Sequence, residues 1–135
     1  MFSKSNLIST IVGALWAYFG GNLLWDTIGS SLFENVNETA PDQLHLIIAC
    51  IILAFAFSTI YSKLSDGGHS LSHGAQFGLW AGIFIGFGER WFDLAFGQMT
   101  LHDTIVNGIL NIVIFVVMGV LASLIYGKMS SSSSE

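Results

Sequence analysis

Apolar residues run through this chain in four long blocks separated by short polar breaks. The first runs from about Leu7 into Leu23-Leu24-Trp25, the second from about Leu44 to Tyr61, the third from about Gly74 to Phe96, and the fourth from about Thr104 to Tyr126. A helix crossing ~30 Å of hydrocarbon needs roughly 20 mostly apolar residues. The pattern therefore predicts an all-α, polytopic membrane protein: a bundle of four transmembrane helices. The first block is too long for the apolar part of a signal peptide, and no small-residue cleavage pattern closes it. Residues 1–129 then form one transmembrane domain, and the Ser-rich stretch 130–135 is expected to be a disordered tail.

The breaks carry helix punctuation. Thr39-Ala-Pro-Asp42 sets a capping Thr, an early Pro and an acid three residues on, which suits the start of the second helix. Thr100-Leu-His-Asp103 serves the fourth in the same way, and Ser65-Asp-Gly-Gly68 separates the second from the third.

Composition narrows the class. Hydrophobic residues make up 53% and charged residues 10% of 135, against about 25% charged in soluble domains. That excludes a soluble enzyme and a disordered chain. With 4 Lys+Arg against 9 Asp+Glu there is no basic patch for a phosphate backbone, so nucleic acid is excluded and the lipid bilayer is the first partner. Cys50 stands alone in an apolar run, which leaves no disulfide framework and no CxxC site. The charges also set a topology. With four spans, Lys4, Lys63 and Lys128 fall on one side, and the positive-inside rule makes that side the cytoplasm, with both termini inside. Asn37-Glu-Thr39 is a formal glycosylation sequon on the other side.

The third block is the informative one. Gly74, Gly78, Gly82 and Gly86 repeat every four residues, a small-residue row that lets a second backbone approach. Phe77, Trp80, Phe84, Phe87 and Trp91 project within roughly 80° of one another on the opposite side. Glu89 and Asp93 project onto the glycine side, with Arg90 as their natural partner. Charges inside a bilayer normally face the bundle interior or a water-filled cavity.

Polar residues recur at the outer ends of all four blocks: Asn22 and Asp26; His45; Glu89, Arg90 and Asp93; His102, Asp103, Asn107 and Asn111. The inner halves of the first, second and fourth blocks read as nearly uniformly apolar. The expected site is an outward-facing polar cavity with Asp26, Glu89 and Asp93 opposing Arg90, supported by Asn22, His45, Asn107 and Asn111. Three acids against one base leave −2, which calls for a cation, captured protons or water. His45, His102 and the carboxylates suit Zn or Mn in type, although no HExxH or Glu-x-x-His spacing occurs. His69 and His73 form an i, i+4 pair at the start of the third helix, open to a metal or haem and more simply read as interface-level histidines. No motif for covalent catalysis is present.

Gly13-Ala-Leu-Trp16 and Gly78-Leu-Trp-Ala-Gly-Ile-Phe-Ile-Gly86, set in four short spans, resemble a bacterial domain-of-unknown-function family of small four-helix membrane proteins. The resemblance implies the fold and a bacterial inner (cytoplasmic) membrane, and no activity. Two functions follow as expectations. One is a homo-oligomer that binds or transports a cation or small polar solute through the outer cavity, with metal or proton coupling. The other is a structural or accessory membrane subunit that packs partner helices. A membrane enzyme using the carboxylates ranks last.

Overall fold

A computed structural model describes residues 3–32, 42–65 and 69–133, which form helices and turns with no strand among them. Helix α1 (Lys4–Leu23) opens on Ser3, whose hydroxyl accepts from the Asn6 N–H at 3.1 Å. It continues into a π-helical segment, Leu24–Gly29, and a last α turn, Ser30–Leu32. Helix α2 (Gln43–Leu64) is capped by Asp42, whose carboxylate takes the Leu44 and His45 N–H groups at 3.0 and 3.4 Å. The cap is therefore Asp42; Thr39, Pro41, the sequon and 66–68 lie outside the described residues. Helix α3 (Leu71–Gly82) opens on Ser70, bonded to the His73 N–H at 3.1 Å, and passes into a second π-helical segment, Ile83–Glu89. A turn at Arg90 leads to the short α4 (Trp91–Ala95). Helix α5 (Leu101–Ser133) is capped by Thr100, whose hydroxyl accepts from the Asp103 N–H at 3.1 Å.

Three of these elements, Lys4–Gly29, Gln43–Leu64 and Leu101–Met129, are long and apolar enough to cross a membrane. The third block differs from its expected form: it is an interrupted rod. Its glycines, His73 and Gln76 dilute its apolarity, and the π-helical segment and the turn at Arg90 divide it. Helix α5 runs without a break to Ser133. Once a helix is nucleated, each added residue gains one bond for one residue fixed.

Side-chain ties fix the directions. Asn6 Nδ2 donates to Thr59 Oγ1 at 3.0 Å and Tyr18 donates to Gln43 at 2.6 Å, so α1 and α2 are antiparallel. Trp16 Nε1 donates to the Ile114 carbonyl at 2.9 Å, joining α1 to α5. Gly74 lies against Gly119 and Ser123, and Gly86 against Gly108 and Asn111, so α3 and α5 are antiparallel too. Packing follows the order α2–α1–α5–α3. Helices α2 and α3 meet through rings, Phe57 on Phe77 at 4.9 Å and Tyr61 on Phe77 at 5.5 Å. Lys4, Lys63 and Lys128 thus share one end, the terminal end; Asp26, Asp42 and Asp103 share the distal end.

The core consists of Phe57, Tyr61, Ile114, Phe115, Met118, Ala122 and Tyr126, and lies toward the terminal end. Outward, Leu7, Ile11, Leu15, Phe19 and Leu23 form an exposed stripe at four-residue spacing, and Ile52, Trp80 and Phe84 are exposed on the other rods. Water-facing monomers rarely show apolar patches beyond roughly a few hundred Å². A hydrocarbon surround removes that cost.

Candidate functional site

The distal end holds most of the residues singled out from the sequence. Asn22 and Asp26 line a groove of about 300 Å³ with Tyr18, Trp25 and Leu46; Asp26 is exposed and Asn22 half-buried. His45 turns to Asp42, Nδ1 to Oδ2 at 3.0 Å, both exposed. Hydrogen bonds from the His45 side chain and backbone hold the Asp42 carboxyl below its ordinary range. Arg90 pairs with Asp93 at 3.3 Å one turn on. Among the described residues no ion pair joins Asp26 or Glu89 to Arg90.

Glu89 corrects the projection onto the glycine side. It is exposed, while Gly74, Gly78, Gly82 and Gly86 are buried against α5. A projection at about 100° per residue holds for an α-helix, but residues 83–89 are π-helical with wider i→i+5 bonding, so the register slips. Phe87, expected on the outer aromatic side, consequently sets its ring against Gly108. Asn107 is buried and Asn111 half-buried, and the Asn111 amide donates to the Asn107 carbonyl and Oδ1, both at 2.9 Å. His102 Nε2 lies 2.7 Å from the Leu32 carbonyl and ties α5 to the end of the first rod. The arrangement thus brings Asp93 to Arg90 and the two Asn together, and leaves Asp26, Glu89 and His45 at the surface. Among the described residues no three His, Cys, Asp or Glu side chains group as metal ligands.

The larger set of buried polar residues is at the terminal end, where the sequence reading expects nearly dry inner halves. Asn6, Ser9 and Thr10 of α1, Ser58 and Tyr61 of α2, and Ser123 and Tyr126 of α5 are all buried. Ser58 Oγ and the Tyr126 hydroxyl lie 3.0 Å apart, and Tyr126 also reaches the Ser58 carbonyl at 3.3 Å. The Tyr61 hydroxyl meets His69 Nδ1 at 3.0 Å, and the His69 ring stacks on Tyr126 at 5.7 Å. His73 lies 6.1 Å from the Tyr61 ring. The two histidines are therefore engaged with tyrosines rather than only resting at the interface.

A sequence signal for this end exists. Ser58-Thr-Ile-Tyr-Ser-Lys63 and Ser123-Leu-Ile-Tyr-Gly-Lys128 share Ser-x-Ile-Tyr-x-Lys at an offset of 65 residues (123 − 58). Leu15-Trp-Ala17 recurs as Leu79-Trp-Ala81 at an offset of 64 (79 − 15). The short motifs thus recur at corresponding places in two antiparallel hairpins, α1–α2 and α3–α5. The repeated motif supplies both partners of the Ser58–Tyr126 bond.

His69 gives this end a pH dependence. Burial, with the His73 charge second, pushes its pKa below the ordinary value near 6.5. The folded state favours neutral His69, whose Nδ1 can accept from the Tyr61 hydroxyl. Its contribution is full above the unfolded pKa of about 6.5 and is lost as pH falls through the lower folded value. Thermal midpoints taken from pH 8 down to 5 should fall more steeply for the wild type than for His69→Gln.

No family model, no curated protein and no solved structure matches this chain.

Proposed function

We propose that the chain is a small integral membrane protein that crosses the bilayer four times, through α1, α2, the α3–α4 rod and α5. Both termini and the three lysines face the cytoplasm of a bacterium, and the protein sits in its inner membrane. Its role is that of an accessory subunit, in a homo-oligomer or a larger membrane complex, which packs partner helices and runs no reaction of its own. One observation carries this reading. Buried polar side chains tie one helix to another at the terminal end, Asn6 to Thr59 and Ser58 to Tyr126, while Asp26 and Glu89 remain at the surface.

The test is the triple variant Asp26→Asn, Glu89→Gln, Asp93→Asn. It removes one exposed ion pair and two surface charges, so its cost in stability should stay within about 1 kcal/mol. Subunit number by native mass spectrometry should not change. A changed stoichiometry, or loss of a co-purifying metal or solute, counts against the proposal.

A second reading, binding or transport of a cation or small polar solute, is favoured by one feature: the distal groove brings Asn22, Asp26 and Tyr18 together beside α2. Flux into proteoliposomes that depends on Asp26 would establish it in place of the accessory role.

A further inference from the structure

The two hairpins make two comparable seams. In the α1/α5 seam, Trp16 fills the space and its indole N–H bonds the Ile114 carbonyl. Its counterpart Trp80 stands at the α2/α3 seam, which is open, and Trp80 is 68% exposed. Between these rods lies a cleft of about 480 Å³. Leu53, Phe57 and Leu64 form one wall, Phe77 and Phe84 the other, and Phe115 the floor. Every lining side chain is apolar. In water such a cleft would collapse or be capped. On the four-crossing reading it opens sideways into the bilayer.

We infer that this cleft holds one acyl chain of an anionic phospholipid, with the phosphate headgroup at the lysine-bearing terminal end. Length supports this occupant. From Leu53 to Leu64, α2 rises about 16 Å, close to half of the ~30 Å hydrocarbon core and so to the depth of one leaflet. The polar groups lie where the headgroup would be. Lys63 precedes the lining residue Leu64, His73 is one turn before Phe77, and the repeat brings Lys128 to the same end. Charge supports it as well: Lys4, Lys63 and Lys128 share that end, whereas Asp26, Asp42 and Asp103 lie at the other. The positive-inside rule turns the lysine end to the cytoplasmic leaflet, where anionic lipids concentrate.

The inference rests on the four-crossing reading, and the experiment separates the two. Full-length protein is purified in mild detergent and loaded with phosphatidylglycerol or phosphatidylcholine of identical acyl chains. Retained lipid is then counted by native mass spectrometry. The wild type should retain phosphatidylglycerol about fivefold over phosphatidylcholine, the preference one basic side chain gives near an anionic surface. Ala56→Trp and Ile60→Trp, both at exposed cleft positions, should lose both lipids while keeping the wild-type melting temperature. Lys63→Gln with Lys128→Gln should keep the lipid and lose the headgroup preference. Equal retention of the two lipids by the wild type overturns the inference. So does full retention by either folded Trp variant, or a Trp variant that only splits an oligomer, since a second copy would then fill the cleft. The crossings of α2 and of the α3–α4 rod are tested apart from this, by impermeant maleimide labelling of Ser31→Cys, Ser62→Cys and Gln98→Cys in a Cys50→Ala background. Any pattern other than Ser31→Cys and Gln98→Cys on one side and Ser62→Cys on the other defeats the topology and leaves the lipid count to stand or fall alone.

Discussion

Gly78→Leu should abolish the folded bundle, and Gly78→Ala should already weaken it severely. A Cβ placed on Gly78 meets the Phe115 carbonyl oxygen, with the Phe115 carbonyl carbon at 2.6 Å and the Val116 Cα at 2.7 Å. These are backbone atoms of α5, so no side chain can swing aside. Neighbouring turns are as close: a Cβ at Gly82 would lie 2.7 Å from the Ile112 Cα, and one at Gly86 2.7 Å from the Asn111 Cβ. Relief at Gly78 therefore means parting α3 from α5 along the row. Overpacking by a methylene or two costs about 1–3 kcal/mol where side chains can adjust. Here the backbones must separate, so Ala should reach the top of that range, and Leu should exceed a total stability of about 5–15 kcal/mol. Gly21 is the control, because a Cβ there has nothing within 4 Å. Gly21→Ala should be neutral or stabilising by up to about 1 kcal/mol, the helix-propensity gap between the two residues. Thermal unfolding by circular dichroism and monodispersity in detergent check both. A well-folded Gly78→Leu would refute the close approach itself.

The same row shows what the sequence can and cannot convey. Long apolar blocks and four-residue glycine spacing are properties of composition and of regular α geometry, so α1, α2 and α5 and the spacing of small residues are legible directly. A uniform-helix projection puts Glu89 on the glycine side, and the π-helical winding of Ile83–Glu89 that moves it is not carried by residue types alone. Asp26 joins Glu89, Arg90 and Asp93 by depth alone, and depth along an axis does not bring side chains on different rods together. The buried polar residues of the terminal end are hidden for another reason. Ser, Thr and Tyr count as nearly neutral in a hydropathy reading, so Ser58, Tyr61 and Tyr126 pass as parts of apolar blocks. Only the recurrence of Ser-x-Ile-Tyr-x-Lys marks them, and it has meaning once α2 and α5 are known to end side by side.

Tyr61→Ala should then be the most damaging side-chain truncation in the protein. Tyr61 has no exposed surface, and its ring lies 5.4 Å from Tyr126, 5.5 Å from Phe77 and 5.7 Å from His69. It therefore joins α2, α3 and α5 and the residue that precedes α3. Emptying such a site removes an aromatic side chain and leaves a cavity, at a cost of about 3–5 kcal/mol. Tyr61→Phe separates the ring from the hydroxyl. It keeps the packing and frees His69 Nδ1, which is only half-buried and can turn to water, so about 0.5–1.5 kcal/mol is expected. Tyr126→Phe should cost more, about 1–3 kcal/mol, because Ser58 is 1% exposed and its hydroxyl would lose a partner that water cannot replace. The expected order of loss is Tyr61→Ala, Tyr126→Phe, Tyr61→Phe, read from unfolding midpoints in one detergent. Tyr61→Phe should also shrink the fall in stability below pH 6.5, since protonating His69 no longer breaks a bond to that hydroxyl. A Tyr61→Ala protein as stable as the wild type would mean that the aromatic cluster does not hold the terminal end together, and the four rods would need another anchor there.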